Sequence, residues 1–369
     1  MSNQSFANLG VRAPIVDALA ARKITSPFEI QRLVLPDALA GHDLLVRSPT
    51  GSGKTLAFAI PAVECAAAEQ QRPSVLILTP TRELATQIVE ATRPAASARG
   101  VSVAPVYGGV ALERQAKLAR RAHIVVATPG RLQDLLDRGA IAISNVELLV
   151  LDEADRMLDM GFRPAVDRIV AKTSSSRQTL MFSATLDGEV RRVAPSYTNH
   201  PKTIEHEAAI DREVVVSHRF MLVGPDTKLP ALISVMRESN RGLTLVFVRT
   251  KRRADRVVKQ LRAHDVNAVA MHGDKSQNQR EKALARFQDG GVATMVATDV
   301  AARGIDVRRI TRVVNFDAPE DRDGYVHRIG RTGRAGAGGL GITFVLDDQR
   351  RTMAKIASAL DVEYEPVRH

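Results

Sequence analysis

Residues 43–55 read DLLVRSPTGSGKT, a short apolar run that feeds a glycine-rich turn ending in Gly-Lys-Thr, and the helix-prone LAFAIPAVE follows. A strand delivered into such a turn at a helix N-terminus is a ready cradle for phosphate, because backbone N–H groups converge on the oxygens and the helix dipole favours negative charge. SPTGSGKT departs from the pattern G-x-x-x-x-G-K-[ST] only at Ser48, a position that shapes the turn and tolerates another small residue. Thr50, Gly51, Ser52 and Gly53 are expected to supply the cradle, Lys54 to reach the β- and γ-phosphates, and Thr55 to hold Mg²⁺.

Outward from this stretch, short apolar runs alternate with longer helical patterns. DLLVRS, SVLILTP, VSVAPVY, HIVVATP, ELLVLDEAD and TLMFSAT mark the first half. The rhythm restarts with SHRFMLV, LTLVFVRT, VNAVAMHG, VATMVATD, ITRVVNFD and LGITFVLDD. Continuously apolar strands separated by helices predict a parallel sheet covered on both faces, so the fold class is α/β with one architecture used twice. The polar TNHPKTIEHEAAIDREVV between the halves reads as a linker, which places an ATP-binding domain at 1–209 and a C-terminal domain at 210–369. Where the first half carries SPTGSGKT after its strand, the second is expected to carry VRTKRRAD, which has no glycine nest; one nucleotide for two domains follows.

Bulk properties agree. A chain of 369 residues exceeds one ordinary core, and 44% hydrophobic with 25% charged residues is ordinary for a globular protein. No apolar run is long enough to cross a bilayer and the N-terminus shows no targeting pattern, so a cytoplasmic protein without membrane contact is expected. The lone Cys65 reads as a small buried hydrophobe. A net charge of +11 favours a polyanionic partner, and with no Trp and 4% aromatics the contact is expected on the nucleic-acid backbone rather than through stacking platforms.

A phosphate cradle that hydrolyses ATP needs carboxylates for the metal and for the attacking water. ELLVLDEAD supplies them at the end of a buried strand, Asp152 on the metal side and Glu153 as the base for water. LDEAD at 151–155, with SAT at 183–185, resembles the DEAD-box ATP-dependent RNA helicases of helicase superfamily 2. PTRELA at 80–85, Gly108-Gly109, TPGR at 128–131, VFVRT at 246–250, ATDVAARGID at 297–306 and HRIGRTGR at 327–334 follow in that family's order, and the resemblance covers essentially the whole chain.

The resemblance implies two RecA-like domains that close around ATP and single-stranded RNA, separating short duplex RNA or remodelling RNA–protein complexes. SPFEIQ resembles the adenine-recognising Q motif, with Gln31 on the adenine edge and Phe6, 25 residues earlier, stacking on the base. The family more often has Thr-Pro where this chain has Phe28-Glu29, a glycine and an aromatic at Lys23-Ile24, and alanine at Ser48. It implies Arg331 and Arg334 as arginine fingers, His327 as the residue that couples them to DEAD and SAT, and Asp306 on the ribose. Asp155, Ser183 and Thr185 are the implied coupling residues of the first domain. RNA contacts are implied for Arg82, Gly108, Gly109, Thr128, Gly130 and Arg131, and in the second domain for Arg249, Thr250, Gln277, Arg280, Thr298 and Asp299. Helix capping is the rival role for the threonines. The helix KRRADRVVKQLR reads as a solvated face, and the sequence specifies neither the target RNA nor any ribosomal or RNA-degrading protein partner.

Overall fold

The computed structural model describes residues 5–48, 52–67, 72–206, 216–238, 242–302, 307, 309–333 and 338–368, without the side chains of Gln277, Val300 and Arg368. The chain divides into two compact units, Met1–Ala208 and Ala209–His369. The expected boundary at 209/210 lies outside the described residues.

In the first unit the apolar runs become β1 (Leu44–Arg47), β2 (Val75–Leu78), β3 (Val103–Val106), β4 (Ile124–Ala127), β5 (Leu148–Leu151) and β6 (Gln178–Ser183), joined at one edge by β7 (Lys202–Glu205). Every pairing described is parallel, in the order β3-β4-β2-β5-β6-β1-β7. The pleat sends alternate residues to opposite faces. Val75 and Ile77 therefore enter one core with Phe58, Ile88 and Phe182, while Leu76 and Leu78 enter the other with Leu132, Leu149 and Met157.

The second unit repeats the plan with β8 (Val216–Leu222), β9 (Leu243–Phe247), β10 (Ala268–Met271), β11 (Thr294–Ala297), β12 (Ile310–Asn315), β13 (Gly339–Val345) and β14 (Val367–Arg368). The order β10-β11-β9-β12-β13-β8-β14 superimposes strand for strand on that of the first unit, so the duplicated architecture read from the sequence is present.

Two sequence readings are corrected. Part of the supposed linker, Lys202–Glu205, is an edge strand paired with β1; its side chains are mostly exposed, so it carries no apolar run to announce it. VRTKRRAD follows β9, the counterpart of β2, and so answers to PTRELA. The true counterpart of the phosphate turn is GPDTK at 224–228, which follows β8. It has one glycine instead of a nest.

The basic helix Lys251–Arg262 buries Ala254, Val257, Val258 and Leu261 and turns its charges outward, as expected for a solvated face. Burial pushes the Cys65 thiol up to about 11, which leaves it without thiolate character and fits the reading of a small hydrophobe.

Lys228, at the position matching the phosphate-turn lysine, is buried and ion-paired with Asp317 at 3.0 Å. Asp317 also accepts from Arg253 Nη1 at 2.7 Å and from the Arg249 backbone N–H at 2.9 Å. Burial would raise this carboxyl, but the Arg249 N–H, Lys228 and Arg253 outweigh burial and hold it below its usual range. Its contribution to stability is therefore present above the unfolded carboxylate value of about 4 and is lost as pH falls further. Lys228→Met should lower hydrogen-exchange protection of the β8 and β12 amides by about 3 kcal/mol, the loss expected when a buried pair is broken from one side. Unchanged protection would show that the pair holds nothing together.

Candidate nucleotide and RNA sites

The phosphate turn begins where β1 ends. Ser48 is fully buried, its N–H donates to the Ser183 carbonyl at 2.9 Å, and its hydroxyl shares a 2.6 Å hydrogen bond with that of Ser52. The residue that broke the glycine pattern thus ties the turn across its own base. Gly53 sits at φ +88°, immediately before the helix Lys54–Cys65, and a Cβ there would lie 2.2 Å from the Phe28 ring. Both the left-handed backbone and the close approach require glycine.

The Q-motif residues meet the turn at the same point. Gln31 is buried at the start of the helix Glu29–Leu39; its Nε2 donates to the Gly53 carbonyl at 2.8 Å, and its Oε1 accepts from the Phe28 N–H at 2.9 Å. Each end of the amide keeps one further hydrogen-bonding capacity. Phe28, which replaces the family's threonine, packs on Gly53 while remaining 61% exposed. Lys23 has φ +63°, the conformation that explains the glycine the family favours there. Phe6 is 1% exposed and packs in the core with Leu9, Ile15 and Val34.

β5 delivers Asp152 and Glu153 opposite the turn. Asp152 Oδ1 lies 3.4 Å from Lys54 Nζ, both residues are buried, and Asp152 Oδ2 has no hydrogen-bond partner among the described residues. Burial pulls the Lys54 pKa down, but Asp152, Glu153 and Asp155 outweigh it and hold the amine above its ordinary value, fully protonated. Glu153 takes φ +53° and ψ +52° as the chain leaves the strand and enters the helix Ala154–Asp159, a conformation that costs a non-glycine residue about 1–2 kcal/mol. Its side chain is buried and ion-paired with Arg156. Asp155 links the two acidic motifs: Oδ2 accepts from the Ala184 N–H of SAT at 3.0 Å and Oδ1 from the Arg156 N–H at 2.9 Å. Ser183 is fully buried with its hydroxyl unpartnered among the described residues, and Thr185 is exposed.

The proposed RNA residues of this unit gather at the other half of the same sheet edge, after β2, β3 and β4. The Arg82 guanidinium lies so close over Gly108-Gly109 that a Cβ on Gly109 would sit 2.2 Å from Nη1, and one on Gly108 2.9 Å from Nη2. Arg131 Nη1 donates to the Val110 carbonyl and to Gln115 Oε1, each at 2.9 Å, fastening the glycine loop to TPGR. Thr128 is buried just before the helix Pro129–Asp137, and Gly130 has open space around it. PTRELA, GG and TPGR, distant in sequence, form one surface.

In the second unit Arg249 is half exposed, with Nη2 3.7 Å from Glu320. Thr250 caps the helix Lys251–Arg262 by accepting from the Arg253 N–H at 3.2 Å, so the capping role is filled. Arg280 and Thr298 are buried, and the Thr298 carbonyl accepts from the Ala301 and Ala302 N–H groups of the helix Asp299–Ala302. Both Asp299 oxygens accept from Arg328, at 2.6 and 2.7 Å. Arg328 also donates to the Asp317 carbonyl at 2.6 Å and stacks 5.2 Å from the Phe247 ring centroid. Sequence reasoning passed over Arg328, Lys228 and Asp317, because only the strand order reveals where their elements meet. His327 lies on the helix Arg322–Ile329, and Arg331, two residues past that helix, is buried. Thr50, Gly51, Asp306, Arg334 and the Gln277 side chain lie outside the described residues.

A parallel sheet with a phosphate turn after its first strand and an Asp-Glu pair after β5, separated from it by β6 alone, defines a P-loop nucleotide-hydrolase unit, here in tandem with a second RecA-like unit. Residues 28–193 match the family described as DEAD/DEAH box helicase, and residues 227–336 match the helicase conserved C-terminal domain. The chain belongs to the DEAD-box family of ATP-dependent RNA helicases. It is 41% identical over 354 residues to ATP-dependent RNA helicase DeaD of Escherichia coli (strain K12), covering 95% of this chain and 56% of the relative. To DEAD-box ATP-dependent RNA helicase CshA of Geobacillus kaustophilus (strain HTA426) it is 38% identical over 342 residues, 92% of this chain and 73% of the relative. It spans 61% of the length of DeaD of Buchnera aphidicola subsp. Baizongia pistaciae (strain Bp), to which it is 39% identical. Among solved structures, S. cerevisiae Dbp5 bound to RNA and ADP BeF3 is similar with a TM-score of 0.89 and 28% identity, covering 99% of this chain and 95% of that one.

Ser48→Ala removes the hydroxyl tie to Ser52, a hydrogen bond worth about 0.5–1.5 kcal/mol. The KM for ATP should rise about threefold to tenfold with kcat preserved, as measured by steady-state phosphate release. An unchanged KM would mean that the tie does not shape the turn.

Proposed function

We propose that the chain hydrolyses ATP to open short RNA duplexes or remodel RNA–protein complexes, acting in the cytoplasm. The observation that carries this reading is the Lys54–Asp152 pair at the mouth of the phosphate turn, with one Asp152 oxygen buried and unpartnered among the described residues. A lone buried carboxylate oxygen is costly unless a ligand completes it. Thr55 and Asp152 would hold Mg²⁺, in part through water, and the ion when bound neutralises charge on the β- and γ-phosphate oxygens. Lys54 binds phosphate as a fully charged ammonium, and the N–H groups of the turn and its helix orient the chain of phosphates. Gln31 couples adenine recognition to the turn through the Gly53 carbonyl.

Glu153 is assigned to orient and deprotonate the attacking water, with its carboxylate beside Arg156. Arg331 and Arg334 are assigned to charge developing on the γ-phosphoryl oxygens, a role worth about 10³–10⁵ in rate in P-loop enzymes. The Asp155 bond to Ala184 ties DEAD to SAT, so a shift of the Asp-Glu turn moves SAT as well. RNA is assigned to the Arg82, Gly108-Gly109 and Arg131 surface, where arginine grips phosphate and the glycines admit the backbone closely.

Glu153→Gln should retain ATP and RNA yet hydrolyse at least about 100-fold more slowly, the lower bound for losing a general base. A near-normal rate in single-turnover assays would deny it that role. Gly109→Ala should push Arg82 off the glycine loop and weaken RNA binding about tenfold, leaving the ATP KM intact in the absence of RNA; unchanged RNA affinity would remove this surface from the assignment. Multiple-turnover unwinding of a short RNA duplex with ATP tests the whole reading. Retention of RNA without strand separation would make the protein an ATP-timed clamp, and equal stimulation of the ATPase by DNA would overturn the RNA assignment.

A further inference from the structure

The strand-start edge of the second unit, opposite the loops assigned to nucleotide and RNA, carries a cavity of about 410 Å³. Residues at the beginnings of β9, β11 and β12 line it, with Arg237, Asn267 and Thr244 among them. Its floor holds Arg312, only 2% exposed. Nη1 of this guanidinium donates to the Val235 carbonyl in the last turn of the helix Lys228–Arg237, which explains one arm. Nε and Nη2 have no hydrogen-bond partner among the described residues.

Those two nitrogens form the side edge of the guanidinium fork, the edge that accepts two oxygens of a carboxylate or phosphate at once. The neighbouring acids do not fill it. Glu238 is engaged by Arg219 Nη1 at 2.9 and 3.1 Å, and Asp265 lines the cavity without forming an ion pair to Arg312. Thr244 and Thr294 add buried hydroxyl-bearing side chains to the wall, and Arg237 a second positive charge. A helix cap needs one donor and no cavity; a buried, half-unsatisfied arginine in a polar hollow is what an anion site requires.

We propose that this cavity binds a small oxyanion, a carboxylate or a phosphate group, held side-on by Nε and Nη2 of Arg312. The ligand class is metabolite-sized, and the site stands apart from the phosphate turn of the first unit.

The test uses the full chain labelled with ¹⁵N and saturated with ADP and Mg²⁺, so that the phosphate turn is filled. Inorganic phosphate and, separately, succinate are titrated at constant ionic strength while the Asn267 and Thr294 amide resonances are followed. A saturable shift with either anion is expected, about tenfold weaker in Arg312→Lys, which keeps the charge but loses the fork. Saturation by phosphate alone or by succinate alone supports the site and names its ligand class. Absence of a saturable shift with both anions in the unsubstituted protein, or equal saturation in Arg312→Lys, overturns it and leaves Arg312 as a helix cap.

Discussion

A buried lysine facing a buried aspartate, at the same place in two copies of one sheet, is the interaction on which this protein turns. Lys54 meets Asp152 at 3.4 Å and Lys228 meets Asp317 at 3.0 Å, each joining the segment after the first strand of its unit to the segment after the fifth, which is the central strand of its sheet. Burying a charge is tolerated only when it is paired and hydrogen-bonded. In the second unit Arg253 and the Arg249 N–H finish the job and Asp317 is saturated. In the first unit Asp152 Oδ2 has no partner among the described residues. The same fold is therefore closed in one copy and open to a ligand in the other.

The remaining site follows from where parallel strands end. Every loop assigned to chemistry in the first unit leaves a strand at one edge of the sheet, and the strand order places β1, β5 and β6 on one side and β2, β4 and β3 on the other. The phosphate turn, DEAD and SAT consequently share one half of that edge, with Asp155 bonded to Ala184. Arg82, the glycine pair and TPGR share the other half, fastened by Arg131. Two ligands can be served by one sheet without competing for the same loops.

Much of this was legible in the chain. Continuous apolar runs such as LLVL and VLIL are what a strand buried on both faces must look like, and all the strands foreseen from such runs are present. β7 escaped notice because an edge strand has only one neighbour to pair with and a mostly exposed surface. The meeting of Lys54 with Asp152 at the strand ends was legible, because a glycine-rich turn and an acidic pair each follow a short apolar run. The burial of Phe6 was not legible, because an aromatic at a given distance from Gln31 says nothing about which way its ring is packed.

By itself the sequence determined the α/β class, the duplicated rhythm, the phosphate turn and the acidic pair, since these depend on local composition and short spacings. Only the tertiary structure decided that GPDTK, not VRTKRRAD, is the partner of SPTGSGKT, because correspondence between repeats is a property of strand order and strand order is set by long-range pairing. It likewise decided that Asp299 is committed to Arg328 and that Arg312 Nε and Nη2 have no partner among the described residues, since whether a charge is free depends on which distant groups the packed chain brings within hydrogen-bonding reach.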